Sequence, residues 1–130
     1  RGKLFSEQYS EFEPLPGEFV NGDLTLGENI GDLGGLTIAF KAYKLSLNGK
    51  PSPVLDGYTG EQRVFLGWAQ VWRRLYRDQE LSTRRVTDPH SPSEYRVNGV
   101  LQNMPEFYKA FDVKPGHKLY LPEEKRVKIW

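Results

Sequence analysis

Two acidic residues of this 130-residue chain are spaced so that their side chains can act together. Glu28 and Asp32 lie four residues apart, so on a helix both carboxylates project from the same face, one turn from each other. The two carboxylates can therefore act on the same bound group. The alternative is that acids gather at a helix N-terminus because the helix dipole stabilises them, and composition alone favours that alternative.

Glycines around the two acids shift the balance towards a functional site. Four of them lie at positions 27, 31, 34 and 35. Each glycine within a helix costs about 1 kcal/mol relative to alanine. Such a cost is usually tolerated because another element packs close against the backbone. We therefore expect Glu28 and Asp32 to lie beside a close contact between two elements.

His90 and Arg96 form a second candidate pair. A helix is predicted to begin between them, which can bring an imidazole and a guanidinium to one side of a cleft. The alternative, an exposed histidine and a surface arginine, is favoured by spacing alone. His117 follows Pro115-Gly116 and is interpreted as a turn residue without a role. The sequence contains no nucleophile elbow. It also contains no phosphate-binding loop, because no Lys-Ser/Thr pair ends the glycine-rich stretch.

Helices are the elements that would position these side chains. A short helix is predicted near residues 3–12, within otherwise irregular chain, and a long one from Glu28 to the Asn48-Gly49 stop. A capping box formed by Thr59 and Gln62 begins the next helix. The apolar residues predicted to form the buried stripes of the two long helices are Leu33, Leu36, Phe40, Tyr43 and Leu47 in the first, and Val64, Phe65, Trp68, Val71, Trp72 and Leu75 in the second.

The second half of the chain continues this helical pattern. The segment after Tyr76 is polar and is predicted to be a loop, and a helix capped by Ser91 follows His90. A short helix runs from about 105 to 111, and residues 118–121 are predicted to be extended. The result is a mainly helical chain of three or four helices. Its long loops suggest that part of the intended core lies outside the sequence.

Composition excludes several classes of function. The chain has no cysteine and two histidines, which excludes disulfides and thiolate zinc sites and leaves little for a self-contained metal site. No apolar run is long enough to cross a bilayer, so no membrane span is expected. The net charge of +1 and the acids interspersed among Arg73, Arg74, Arg77, Arg84 and Arg85 argue against nucleic acid as a partner.

Several long blocks of the sequence resemble the neprilysin-like zinc metallopeptidases. LTLGENIGDLGGLTIAFKAY at 24–43 resembles the third-ligand motif of that family, and FLGWAQVW at 65–72, DPHSPSEYRVNGVLQNMPEFYKAF at 88–111 and the terminal Trp130 match in order. The resemblance covers essentially the whole chain. Vertebrate members carry cysteines that this chain lacks, so it is most similar to the bacterial members.

The resemblance implies a role for each candidate residue. Glu28 corresponds to the carboxylate zinc ligand, and Asp32 to the acid that accepts a hydrogen bond from a liganding imidazole. His90 would stabilise the oxyanion of the tetrahedral intermediate, and Arg96 would bind the peptide carbonyl of the substrate. Val71 and Trp72 resemble residues that line the pocket for the side chain after the scissile bond. Plain core packing is the alternative for Trp72.

The family mechanism, in which a zinc-polarised water attacks a peptide carbonyl, needs an HExxH helix that this sequence does not contain. The chain is therefore expected to be the C-terminal helical portion, over residues 1–130, of a thermolysin-like (zincin) catalytic domain. Its expected partners are peptide substrates and the upstream part of that domain. One zinc ion is expected in the full-length enzyme and incomplete ligation in this chain, which alone would be inactive.

Two other functions stay open at this point. One is a stand-alone domain that binds peptides through Arg96 and Trp72 without cleaving them. The other is a structural piece that pairs with a separate N-terminal fragment. The family resemblance also implies an extracytoplasmic location, in the periplasm or at the cell surface of a bacterium, with the cytoplasm as the alternative.

Overall fold

The computed structural model describes residues 1–129 and is mainly helical, as predicted. Within this range there is no strand beyond two isolated β-bridges, Leu15 with Glu18 and Leu55 with Tyr58. None of the described helices is long and apolar enough to span a membrane. Six α-helices and a final 3-10 turn occur instead of the three or four helices predicted: α1 Gly2–Ser10, α2 Gly22–Ser46, α3 Gly60–Val71, α4 Asp78–Thr87, α5 Ser93–Leu101, α6 Pro105–Phe111 and the 3-10 turn Glu123–Lys125.

Helix α2 begins six residues earlier than predicted. The Asn21-Gly22-Asp23 sequence is typical of a turn, but the Asn21 side chain accepts a hydrogen bond from the Leu24 amide at 3.0 Å and so caps the helix. Gly22 lies where α1 crosses α2, and a Cβ there would come within 2.0 Å of the Ser6 carbonyl oxygen. The predicted end is confirmed, because Asn48 and Gly49 follow Ser46 with positive φ.

The core lies where α1, α2, α3, α5 and α6 meet. Phe5 and Tyr9 of α1 are fully buried, and Phe65 of α3 contacts Phe40 of α2 and Phe107 of α6 at ring-centroid distances of 5.3 and 5.7 Å. Aromatic contacts at these distances add to the free energy gained by burying the rings. This core sets the positions of α2, α3 and α5, from which the candidate side chains project.

The predicted buried stripe of α3 is wrong at its C-terminal end. Phe65 is buried, but Val71 is 71% exposed and Leu75 is 98% exposed. The physical reason is that the helix ends at Val71, so Leu75 no longer lies on the face that Phe65 buries. The capping box between Thr59 and Gln62 is confirmed, with hydrogen bonds of 2.9 and 3.2 Å.

Three further local predictions are wrong. The segment predicted to be a polar loop after Tyr76 contains α4, which has no buried residue and therefore no apolar period to reveal it. Ser91 does not cap α5, because its hydroxyl donates to Asn29 instead and Pro92 is the N-cap. Residues 118–121 are not an extended segment, since residues 118 and 119 lie in a turn and the Tyr120 amide donates to the His117 carbonyl at 2.9 Å.

Polar contacts hold α4 against the loop that precedes α2. The Ser82 hydroxyl and the Arg85 Nε donate to Glu18 Oε2 at 2.7 and 3.1 Å, and Arg85 Nη1 donates to the Phe19 carbonyl at 3.1 Å. The Ser82 hydrogen bond is the main cause that lowers the pKa of Glu18. Desolvation opposes it, and the hydrogen bond and charge of Arg85 lower the pKa further. The docking of α4 therefore depends on an ionised carboxylate.

Acid is expected to loosen α4. The pKa of Glu18 is lower in the folded state than its ordinary value of 4.5. Its contribution to stability is therefore fully present above that value and is lost as pH falls through the lowered pKa. Amide chemical shifts of α4 followed from neutral pH into acid should show this transition. Glu18→Gln should move them towards their acid values already at neutral pH, and wild-type shifts in that variant would contradict the role of Glu18.

Candidate active site

Four of the predicted site residues meet at the middle of α2. Glu28 and Asp32 come from α2, Arg96 comes from α5, and His90 lies in the loop that precedes α5. Glu28 lies six residues beyond the first residue of α2. The charges of helix ends act mainly within the first and last turns, so the helix dipole does not explain either acid. The alternative that composition favoured is therefore wrong.

Asp32 and Arg96 form a nearly buried, two-pronged ion pair. Arg96 Nε donates to Asp32 Oδ2 at 2.6 Å and Nη2 donates to Oδ1 at 2.7 Å. The side chains are only 9% and 12% exposed. Removing one partner of such a pair leaves an uncompensated charge and costs about 3–5 kcal/mol. The pair therefore fixes α5 against α2, a contact that depends on the tertiary fold and that no local sequence pattern predicts.

Arg96 is also held by two tryptophans, Trp68 of α3 and Trp72, which directly follows that helix. Its guanidinium lies 4.0 Å from the ring centroid of Trp72, and Trp68 Nε1 donates to the Arg96 carbonyl at 3.1 Å. Desolvation opposes the charge, but the hydrogen bonds and charge of Asp32 and the charge of Glu28 raise the pKa of Arg96 above its ordinary value. Nη1 makes no hydrogen bond to a described residue, which leaves a donor for a ligand.

His90 lies between two carboxylates. Its Nε2 is 3.2 Å from Glu28 Oε2, and its Nδ1 is 2.7 Å from Asp88 Oδ1. The His90 amide also donates to Asp88 Oδ1 at 2.9 Å. Sequence reasoning missed Asp88, although an aspartate that accepts from the amide two residues on is a common turn motif and was the available signal. Asp88 holds the imidazole so that Nε2 points towards Glu28.

The charge state of Asp88 follows from these contacts. Partial burial acts to raise its pKa, but hydrogen bonds from the amide and side chain of His90, together with the charge of Arg84, keep the pKa below its ordinary value. Asp88 is therefore an ionised acceptor at neutral pH.

A buried polar chain ties the His90 loop to α2. The Ser91 hydroxyl donates to Asn29 Oδ1 at 2.8 Å, and Asn29 Nδ2 donates to Thr25 Oγ1 at 3.0 Å. Asn29 is 0% exposed and adjoins Glu28 in the chain. Because unsatisfied buried amides are costly, this chain fixes the loop relative to the Glu28 carboxylate. No periodicity or spacing in the sequence predicts this chain of hydrogen bonds.

One face of α2 has no covering element among the described residues. A Cβ at Gly27, Gly31 or Gly35 would meet nothing within 4 Å. Gly31 and Gly35 lie on the same helix face as Glu28, whose side chain is 46% exposed. Farther along this face Ile38 and Leu45 are 59% and 76% exposed. The close contact predicted from the glycines is therefore not made at Gly27, Gly31 or Gly35 within residues 1–129, whereas Gly34 is buried.

The donor set fits one carboxylate ligand of zinc and no more. Residues 1–129 contain no group of three metal-binding side chains. Glu28 presents an accessible carboxylate oxygen, a usual zinc ligand, on the uncovered face of α2. Asp32 uses two of its lone pairs on Arg96, and a carboxylate has about four, so it can still accept a hydrogen bond from an imidazole.

The other predicted site residues differ in their surroundings. Trp72 contacts Arg96 and Trp68, and its Nε1 is buried without a hydrogen-bond partner among the described residues. Val71 adjoins it but is too exposed to form the wall of an enclosed pocket within residues 1–129. His117 lies in an exposed turn, where its Nδ1 accepts from the Lys114 amide at 3.3 Å. Pocket lining by Val71 and Trp72 stays a prediction.

Comparison with known proteins decides the family. The sequence model of Peptidase family M13 matches residues 1–127. The chain belongs to peptidase family M13. This result confirms the neprilysin-like resemblance read from the sequence, since a relative is neprilysin-3 of Drosophila melanogaster, 37% identical over 134 aligned positions that cover 100% of this chain and 17% of that protein.

Other M13 relatives include bacterial and human proteins. Zinc metalloprotease 1 of Mycobacterium tuberculosis, solved in complex with an inhibitor, is 53% identical with a TM-score of 0.97, over 99% of this chain and 20% of that chain. Human endothelin-converting enzyme 1 is 43% identical over 128 residues, which cover 95% of this chain and 16% of that protein. The predicted fold class, mainly helical and like these metallopeptidases, is confirmed. The chain corresponds to about a fifth of their length or less.

Proposed function

We propose that this chain forms one half of the active site of an M13 zinc endopeptidase that cleaves oligopeptides. Glu28 would supply the carboxylate ligand of the zinc ion. The observation that carries the proposal is the position of Glu28, on the uncovered glycine face of α2 and 3.2 Å from His90. The M. tuberculosis relative is a zinc metalloprotease, which supports the same assignment.

The uncovered face of α2 would receive the segment that carries the remaining ligands. Glycines on a helix face allow another helix to approach more closely than the usual 8–10 Å between axes. Exposed Ile38 and Leu45 extend that face with apolar surface. We infer that an HExxH helix packs there and brings two imidazoles and a general base to Glu28. Asp32 would accept a hydrogen bond from one of these imidazoles and fix its tautomer.

Each remaining side chain has a task that its geometry supports. Bound zinc supplies Lewis acidity towards water and the peptide carbonyl. His90, held by Asp88 through Nδ1, would in its doubly protonated form donate Nε2–H to the carbonyl oxygen as negative charge develops there. Arg96, fixed by Asp32 and Trp72, would donate from Nη1 to a second peptide carbonyl and so orient the substrate. Val71 and Trp72 would contact the side chain after the scissile bond.

The experiment that tests the function uses the chain together with an HExxH-bearing segment, either in one polypeptide or as two co-expressed pieces. The complex should cleave oligopeptides, and chelation of zinc should stop cleavage. The chain alone should not cleave, because the described residues offer no complete ligand set. Tight zinc binding and peptide cleavage by the chain alone would contradict the proposal. An extracytoplasmic location belongs to the same proposal and rests on the family resemblance.

Peptide binding without cleavage is the second candidate function. Arg96 Nη1, which makes no hydrogen bond to a described residue, is a donor that a peptide carbonyl could accept from. Peptide binding by the chain alone, without zinc and without hydrolysis in the complex, would favour this function. The Glu28 carboxylate would then have no task, which is why we prefer the peptidase.

His90→Ala is expected to lower kcat of the complex by a factor on the order of 100 to 1,000, as for other oxyanion donors, while zinc content and KM stay close to wild type. The reason is that the charge on the carbonyl oxygen is larger in the transition state than in the bound substrate. His117→Ala is the matched control, because His117 lies in an exposed turn away from the site. An unchanged kcat in His90→Ala would remove His90 from the mechanism.

A further inference from the structure

The arginine-rich stretch around α4 is organised by contacts inside the chain. Arg84 Nη2 lies 2.5 Å from Asp88 Oδ2, and its Nη1 lies 3.7 Å from Glu80 Oε1. Arg74 reaches the same Glu80 oxygen at 3.5 Å. Both guanidiniums also lie over the Tyr76 ring, at 4.8 Å for Arg74 and 5.8 Å for Arg84. The stretch therefore forms an ion network that ends on Asp88.

Asp88 divides its two oxygens between this network and the active site. Oδ1 accepts from the amide and the Nδ1 of His90, whereas Oδ2 binds Arg84. With Arg84 in place the carboxylate cannot turn about its Cβ–Cγ bond without losing one set of contacts. The His90 side chain is 41% exposed and thus lacks a packed environment that would hold it. Its orientation depends on Asp88, whose own orientation depends on Arg84.

The position of Arg84 depends in turn on electrostatics. Helix α4 has no buried residue, and polar contacts with Glu18 and the Phe19 carbonyl hold it in place. The Arg84 side chain is 34% exposed, and its partners Asp88 and Glu80 are 17% and 48% exposed. Ion pairs at this level of exposure are weakened by salt. The network is therefore sensitive to ionic strength, in contrast to the nearly buried Asp32–Arg96 pair.

We propose that Arg84 is a positioning residue for His90, acting through Asp88, and that α4 thereby makes turnover of the enzyme dependent on ionic strength. This inference rests on the proposed function of His90 as the oxyanion donor. Arg84 of the basic stretch therefore acts within the chain. It neutralises Asp88 and holds this carboxylate in one orientation, and it does not serve to bind a polyanion.

The first test measures the His90 side chain directly in this chain. Three-bond NMR couplings report its χ1 rotamer, and wild type at low salt should show a single rotamer. Arg84→Gln should show rotamer averaging, and Arg84→Lys should restore most of the single rotamer because lysine can still pair with Asp88. Arg77→Gln is the matched control, since Arg77 belongs to the same stretch and forms no ion pair with a described residue. It should resemble wild type.

Salt provides the same test without a substitution. Raising NaCl from about 0.05 M to about 1 M shortens the screening length to about 3 Å and should move the wild-type couplings towards those of Arg84→Gln. Arg84→Gln itself should respond little. This arm remains informative if a variant fails to fold. A single His90 rotamer that persists in Arg84→Gln, or throughout the salt series, would overturn the proposal.

The second test measures kinetics in the complex with the HExxH-bearing segment. Arg84→Gln should lower kcat on the order of 10-fold, because small misplacements of a catalytic group are costly, with KM changed less than about twofold. Arg84→Lys should recover most of kcat. A rise in KM with kcat unchanged would overturn the positioning role. A fall in kcat with an unchanged His90 rotamer would also overturn it. Rotamer averaging in a complex that never cleaves peptides would instead overturn the proposed function and leave the Arg84–Asp88–His90 coupling in place.

Discussion

Replacing Glu28 by Ala is expected to remove zinc from a catalytic domain that contains this chain, while the fold of the chain stays intact. The Glu28 side chain is half exposed and its contact with His90 is 3.2 Å long, so the fold should lose less than about 1 kcal/mol. Loss of a direct ligand should weaken zinc binding beyond the roughly 100-fold limit typical of an outer hydrogen-bond partner. Zinc per protein, measured by elemental mass spectrometry, gives the result.

Two controls sharpen this experiment. Glu7→Ala removes a carboxylate whose contact is an exposed ion pair with Lys3, and it should keep the wild-type zinc content. Asp32→Ala should weaken zinc binding by roughly 10- to 100-fold. It also strands the Arg96 charge, so its loss of stability must be measured alongside. Equal zinc content in wild type and Glu28→Ala would exclude Glu28 as a ligand.

Gly31→Leu is expected to act in opposite directions in the isolated chain and in the assembled domain. In the chain, a side chain at Gly31 meets nothing within 4 Å, so leucine should stabilise α2 by about 1 kcal/mol through helix propensity. In the assembled domain the same side chain would occupy the space of the HExxH helix. Overpacking of this kind costs about 1–3 kcal/mol or more, and the complex should lose zinc and activity.

Gly67→Leu is the matched control for this substitution. Gly67 is also an exposed helical glycine, in α3, and a Cβ there likewise meets nothing within 4 Å. It should stabilise the chain and leave the assembled enzyme active. Thermal unfolding of the chain and co-purification of the HExxH-bearing segment measure the two effects. An assembled Gly31→Leu domain with wild-type zinc content would contradict docking on this face of α2.

The sequence predicted those parts of the site that depend on local spacing. The four-residue separation of Glu28 and Asp32 places them on one helix face whether α2 begins at Gly22 or at Glu28. The glycines beside them predicted a close contact, but the face that carries Gly27, Gly31 and Gly35 is open among the described residues. The matched motifs predicted roles for Glu28, His90 and Arg96. These roles stay predictions, and the structure brings the three side chains together.

Contacts between distant segments could not be predicted from the sequence. The Asp32–Arg96 pair joins residues 64 positions apart, and the Asn29–Ser91 hydrogen bond joins residues 62 apart. No periodicity or residue spacing in the sequence predicts either contact. Helix α4 was missed for another reason, because a helix held by ion pairs has no apolar stripe to mark it. Its role in holding Asp88 became visible only from the geometry around His90.

The position of the zinc ion relative to Glu28 is the most direct test of whether Glu28 is a zinc ligand. A crystal structure of the zinc-loaded catalytic domain, with anomalous data collected at the zinc edge, locates the metal without reference to any assigned role. We expect a zinc peak about 2.0–2.2 Å from a Glu28 carboxylate oxygen, above the glycine face of α2. A zinc peak elsewhere in the domain, with the Glu28 carboxylate unliganded beside His90, would contradict it.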